Sequence, residues 1–332
     1  MNVINHIKYP LKFQPILKEK IWGGKKLATL LNKESTKSNI GESWEIACVE
    51  KEVSIVANGK FKGANLENLI VIYRDALLGK KVFKQFSYKF PLLIKFIDAN
   101  QALSIQLHPD DELAKERHNS FGKTEMWYVV QANPGSNLIV GFKKDTTVDE
   151  YLEHLHNKTL LDILNVDIVK EGDVYFIPTG RVHAIGAGVL LAEIQQTSDI
   201  TYRIYDWDRV DDKGNHRELH TTDALTAIDY KAQENYKTTY NTEVNKATNI
   251  IDCRYFTTNI VVIDNESEMK IDHADKDSFV IYMCVGGNVV FHYDDECEEP
   301  LAKGETVLIP ALLKKFRISS KEPSKLLEIY IT

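Results

Sequence analysis

The stretch 104–128, SIQLHPDDELAKERHNSFGKTEMWY, gathers side chains that bind metals: an amide at Gln106, an imidazole at His108 and a carboxylate at Glu125. Gln106 and His108 follow the apolar run 92–96 and precede Pro109. They read as the end of a strand, where a spacing of two points both side chains to one face. Residues 110–117 read as a short capped helix or turn. Glu125 then opens a second apolar run, 126–130, whose β-branched and aromatic residues favour a strand. If the two strands are neighbours in a sheet, the three groups converge on one point, and such a set suits zinc. A further ligand is offered by 172–186, GDVYFIPTGRVHAIG, where a strand-like run ends at Pro178, a turn follows, and His183 comes next.

The pattern Gly-x5-Pro-x-Gly-x2-His, Gly172 to His183, resembles the second motif of the cupin superfamily. Gln106-x-His108 with Glu125 resembles the first, one histidine being replaced by glutamine and the intervening segment lengthened. Together QLHP, GKTEMWY, VHAIGAG and EIQQTSDITYRIYDWDR resemble the short bacterial form of type I mannose-6-phosphate isomerase, over most of the chain. The resemblance implies one Zn2+ per chain held by Gln106, His108, Glu125 and His183, and a sugar-phosphate substrate interconverted between aldose and ketose. It implies a catalytic role for Arg203, and contacts to the substrate phosphate from Ser104 and Lys123. Because a guanidinium stays protonated, it is a poor general base and a good oxyanion partner, so Arg203 is expected to act electrostatically. The general base is open between a metal-bound water and a pocket carboxylate.

The elements that must position these residues are mainly β. Residues 92–108 read as buried strands with a short turn at 99–101. Between 66 and 83, Leu66, Leu69, Ile70, Tyr73, Leu77 and Leu78 recur at helical spacing, and Gly79 stops the helix. Segment 147–165 reads as one or two helices. On a helix, His154 and His156 point about 200° apart and share no metal. His216 and His220, in HRELH, lack the Glu that the metalloprotease motif HExxH needs after its first His, and read as non-ligands. Trp22-Gly23-Gly24 reads as a tight turn beside a buried tryptophan. Glu42 and Glu45, in GESWEI, could face the pocket, but charged strand residues are more often solvated, and they are left outside the site.

Gly172-x5-Pro178 recurs as Gly304-x5-Pro310, each after a strand-rich segment, which predicts two cupin (jelly-roll) barrels in tandem. The polar stretch 231–249 is the linker expected between a catalytic domain at 1–235, with helical insertions, and a degenerate domain at 245–332. There Lys315 stands where His183 would be and nothing matches the Gln-x-His pair, so the second barrel is expected to lack metal ligands.

With 332 residues, 43% hydrophobic and 27% charged, the chain has room for two cores. Its net charge of -7 disfavours a nucleic-acid or anionic-membrane partner, so a phosphorylated substrate needs a locally basic pocket. The four cysteines form no CxxC pair and read as reduced thiols. No run approaches about 18 apolar residues and no signal peptide is evident, which points to the cytoplasm. Two other classes compete with the isomerase: a non-catalytic metal-containing sugar-phosphate-binding cupin, and a metal-dependent oxygenase, whose usual two histidines and one carboxylate leave no place for a glutamine ligand.

Overall fold

In a computed structural model the described residues are 3–210, 213–294 and 296–332. The architecture is mainly β, as expected, with its longer helices in the N-terminal half. A six-stranded antiparallel sheet there runs in the order Val174–Ile177, Glu125–Ala132, Val189–Gln196, Leu92–Ala99, Ile40–Ile46, Ile16–Gly24. A five-stranded sheet packs on it, in the order Leu164–Ile168, Asn137–Phe142, His183–Ile185, Ile105–Leu107, Tyr202–Tyr205. The C-terminal half repeats the scheme with a six-stranded and a four-stranded sheet. The N-terminal strand Leu11–Lys12 forms the edge of the larger one.

The central strands Leu92–Ala99 and Val189–Gln196 are buried at every position, because their sheet is covered on both faces. One face sets Ile97, Trp127 and Leu191 against Leu138 and Val140 of the smaller sheet. The other sets Phe96, Tyr128 and Leu190 in one cluster with helix residues Leu69, Tyr73 and Leu77 and with Ile260, Ile281 and Leu327 of the C-terminal half. A strand between two apolar layers reads as a continuous apolar run rather than an alternation, and LLIKFIDA is one.

The helix Leu66–Leu78 buries the apolar residues its spacing predicted, and the Asn65 side chain caps it by accepting from the Asn68 N–H at 2.8 Å. It ends at Gly79, but a second helix, Lys80–Phe86, follows at once. Both termini at this junction are satisfied from the C-terminal half. The carbonyls of Ala76, Leu77 and Leu78 accept from the backbone N–H groups of Leu312, Ala311 and Phe279 at 2.9, 2.9 and 3.0 Å. The Asp277 carboxylate takes the N–H groups of Lys80 and Lys81 at 2.8 and 3.1 Å. Helix ends otherwise leave such groups without partners. Gly79 has φ +91°, and a Cβ there would lie 2.3 Å from the Asp277 carbonyl oxygen. Gly79→Ala is therefore expected to destabilise the fold by about 2 kcal/mol or more, read from the midpoint of urea unfolding.

Two expectations are corrected. Trp22 is buried, but Trp22-Gly23-Gly24 is no turn: it continues the strand Ile16–Gly24. Gly23 is required by close approach, since a Cβ would meet the Asn39 carbonyl oxygen at 2.3 Å. The strands carrying the amide–imidazole pair and Glu125 are not neighbours in one sheet. Ile105–Leu107 lies in the five-stranded sheet and Glu125–Ala132 in the six-stranded sheet packed on it. The groups meet across the interior.

Strand register in the two halves is compatible with the expected repeat. Ile177, before Pro178, pairs with Glu125, and Ile309, before Pro310, pairs with Val280. His183 pairs with Gln106, and Lys315 with Asp272. The C-terminal half thus has valine where the carboxylate ligand would be and an exposed lysine where the histidine would be. The four cysteines are free thiols. No helix among the described residues is long and apolar enough to cross a membrane.

Candidate metal centre and cavity

His108, Glu125 and His183 come together with ligand atoms all within 4.8 Å of one another, and each is 1% exposed. The local fold determines which atoms they present. His108 Nδ1 donates to the Ile200 carbonyl at 2.8 Å and His183 Nδ1 to the Arg181 carbonyl at 2.8 Å. With the proton held at Nδ1 in each ring, both Nε2 atoms carry a lone pair toward the interior. Burial and the Lys123 charge push the His108 imidazole below its ordinary pKa. Burial and His108 push His183 down to about 3, so both rings are neutral at pH 7.

Glu125 is ionised. Burial alone would raise its pKa, but Lys123 and His108 outweigh it and hold the carboxyl well below the usual range. Lys123 Nζ and His108 Nε2 lie 3.1 and 3.2 Å from Oε1, yet neither carboxylate oxygen accepts a well-directed hydrogen bond. A buried carboxylate and two imidazole lone pairs are three acceptors aimed at one another beside the Lys123 ammonium, and a divalent cation is what such acceptors fit. His108, Glu125 and His183 fit the implied metal on their own geometry. Among the described residues this is the one group of three His, Cys, Asp or Glu side chains so arranged.

Gln106 joins the cluster through its amide, whose nitrogen is 3.5 Å from His183 Nε2, while its oxygen accepts from Ser104 Oγ at 3.2 Å. Ser104 Oγ also accepts from Arg203 Nε at 3.3 Å, so the serine links the ligand group to the arginine. Arg203 Nη1 donates to the Glu218 carbonyl at 2.8 Å. Lys123 is no solvated surface residue: it is 4% exposed, with Nζ 3.4 Å from His108 Nε2. His216 and His220 lie outside the ligand group, as expected. His220 Nδ1 accepts from the Arg203 backbone N–H at 3.3 Å.

The group opens on a cavity of about 310 Å³ whose lining includes Ser104, Gln106, Lys123, His183 and Arg203. The same wall carries residues that the sequence analysis passed over. Glu42, expected to be solvated, is 8% exposed and bonded to Trp44 Nε1 at 2.6 Å and Lys20 Nζ at 3.0 Å. Burial raises its pKa, but Lys95 and Lys20 outweigh it and bring the carboxyl down to about 2. Glu45, which lies off this wall, is likewise buried, paired with Lys33 at 2.8 Å. Lys95 and Glu193 form a buried pair at 3.1 Å, and Trp127 Nε1 donates to Glu193 at 2.9 Å. Burial and the Glu125 charge hold the Glu193 carboxyl above its ordinary pKa. Asp199 and Arg217 complete the charged lining.

Comparison with known proteins bears on what this cavity is. Residues 11–154 match the family described as phosphomannose isomerase type I, catalytic domain, and residues 245–324 match mannose-6-phosphate isomerase, cupin domain. The chain is 34% identical to the mannose-6-phosphate isomerase ManA of Bacillus subtilis (strain 168) over 314 residues, 93% of this chain and 95% of that one. The chain belongs to the type I phosphomannose isomerase family. A second member, the mannose-6-phosphate isomerase of Streptococcus mutans, is 38% identical over 66% of this chain and 67% of its own length. In three dimensions the fold superposes on the crystal structure of the mannose 6-phosphate isomerase from Bacillus subtilis with a TM-score of 0.87 at 32% identity, covering 97% of this chain and 99% of that one. Type I phosphomannose isomerases are enzymes, and the cavity beside His108, Glu125 and His183 is the candidate active site of this member.

Proposed function

We propose that the chain interconverts mannose 6-phosphate and fructose 6-phosphate through an enediol, with one Zn2+ per chain. The supporting observation is the convergence of two neutral imidazoles and a buried carboxylate beside a cavity that His183 and Arg203 line. His108, Glu125 and His183 would hold the ion, with Gln106 as the fourth ligand. When bound, the ion supplies Lewis acidity that polarises a substrate carbonyl.

The remaining work falls to the chain. Moving a proton between C1 and C2 builds negative charge on a carbonyl oxygen, and Arg203, half-buried and permanently charged, is aimed into the cavity to stabilise it. Ser104 fixes the guanidinium by accepting from Nε. Proton transfer requires a group that changes protonation, and the lining supplies the carboxylates of Glu42, Glu193 and Asp199. Two of them are tied to lysines, Glu42 to Lys20 and Glu193 to Lys95. The basic wall gives the phosphate its counter-charge, with Ser104 and Lys123 proposed among its contacts. The division into a catalytic part at 1–235 and a ligand-free supporting barrel at 245–332 belongs to the same proposal.

A coupled assay for fructose 6-phosphate, run with and without a chelator, tests the reading. Turnover that chelation removes and Zn2+ restores is the expected result. Sugar-phosphate binding without turnover would favour a non-catalytic binding protein. Lys123→Ala is expected to raise KM roughly tenfold with a smaller fall in kcat, since a phosphate contact acts on binding before it acts on the reacting carbons. An unchanged KM together with altered metal content would assign Lys123 to the metal centre instead.

A further inference from the structure

HRELH, which looks at first like a metal motif, has another place in the fold. Arg217 Nε donates to Asp206 Oδ2 at 2.8 Å and Nη2 donates to Oδ1, a two-pronged grip on a carboxylate that is 5% exposed. Asp206 also accepts from Arg209 Nη2, and Arg209 Nη1 is anchored on the Ala102 carbonyl at 2.7 Å, two residues before Ser104. The residue after Arg217, Glu218, gives its carbonyl to Arg203 Nη1. His220 N–H donates to the Arg203 carbonyl at 2.7 Å. The HRELH segment is thus clamped along the strand Tyr202–Tyr205, and both guanidiniums, Arg203 and Arg217, line the cavity.

Charge accounting singles out this end of the cavity. Lys95 and Lys20 are paired with Glu193 and Glu42, and Asp199 adds one more negative charge to the lining, against Lys123, Arg203 and Arg217. Asp206 carries two guanidiniums on one carboxylate, leaving one positive charge over. The side-chain partners of Arg203 are a hydroxyl and a carbonyl. Burial and the nearby Arg217 and Arg209 charges push the Arg203 guanidinium below its ordinary pKa, and the Asp206 and Glu218 charges only partly offset them. A phosphate, with two negative charges and several acceptor oxygens, relieves that crowding, and a guanidinium fork matches its geometry.

We propose that Arg217 grips the phosphate of the sugar phosphate, and that Asp206 is its positioning residue. The inference rests on the substrate class proposed above and adds a contact from a separate segment of chain to Ser104 and Lys123. Asp206 holds two of the donors of Arg217 and so keeps the planar fork in one orientation; the guanidinium need not be ordered when substrate arrives.

The test uses a hexitol 6-phosphate, which has no carbonyl to isomerise, and the matching unphosphorylated hexitol, each titrated calorimetrically into the metal-replete protein. Arg217→Ala is expected to weaken the phosphate ligand roughly 10- to 100-fold and to leave the hexitol unchanged. Arg217→Lys, which keeps a cation for Asp206, is expected to lose only part of that affinity and carries the test if the alanine variant does not fold. Asp206→Asn keeps the Arg217 charge but frees its direction, and is expected to weaken the phosphate ligand several-fold with the hexitol again unmoved. Unchanged affinity in Arg217→Ala, equal losses for both ligands, or no preference for the phosphate in the parent protein would each overturn the inference. An Arg217-dependent preference in a protein that does not isomerise mannose 6-phosphate would instead remove the proposed activity and leave this site standing.

Discussion

Arg203→Ala lowers kcat for mannose 6-phosphate by roughly a hundredfold to a thousandfold, with metal content unchanged; this is the loss expected when one preorganised oxyanion donor is removed. The guanidinium is held by Ser104 Oγ on Nε and the Glu218 carbonyl on Nη1, so it pays no reorganisation when charge develops on substrate. Neither partner is a metal ligand, which is why the ion should stay. Arg203→Lys recovers only part of the rate, because an ammonium cannot reproduce a planar fork that grips two oxygens. A pH profile decides between stabilisation and proton transfer. If the alanine variant lost the ionisation that controls kcat while the lysine variant moved it, Arg203 would be a proton carrier and the electrostatic role would fail.

His183→Ala reduces bound metal well below one ion per chain and turnover to about a hundredth or less of the parent's. Removing Nε2 leaves a weaker ligand set and opens a gap beside Trp127, whose ring packs edge-on against the imidazole with centroids 5.3 Å apart. Elemental analysis of the parent protein should give one divalent ion per chain, because Val280 and Lys315 stand at the second barrel's equivalents of Glu125 and His183. Two ions per chain would contradict that register argument. A fully active His183→Ala variant with its metal retained would remove His183 from the ligand set.

Much of the ligand group was legible because its chemistry is rare in strands. An amide and an imidazole two apart, a carboxylate opening an apolar run and a histidine after Pro-x-Gly each stand out locally. What the local pattern could not say is which sheet each strand joins: Gln106 pairs with His183, 77 residues away, and only that pairing places Glu125 across the interior rather than alongside. The charged cavity wall was missed for a different reason. A lone Glu or Lys on a strand is solvated by default, and Glu42 was read so. Lys95 inside LLIKFIDA and Glu193 inside VLLAEIQQ did carry a signal, each being a charge flanked by apolar residues, where burial demands a partner. Arg217 sat in a motif discarded for the absence of one glutamate.

The junction at Gly79 also governs when this protein can become active during its synthesis. The helix carbonyls of Ala76, Leu77 and Leu78 wait for N–H groups at Phe279, Ala311 and Leu312, which leave the ribosome more than two hundred residues later. Domains of many proteins fold N-terminal first as they emerge. Here the sheet that carries Glu125 has only the helix residues Leu69, Tyr73 and Leu77 over its outer face until Ile260, Ile281 and Leu327 complete the layer. Nascent chains halted near residue 240 should accordingly be digested by protease throughout, and protection should appear in one step only when the last strand, Ser324–Tyr330, is free to pair.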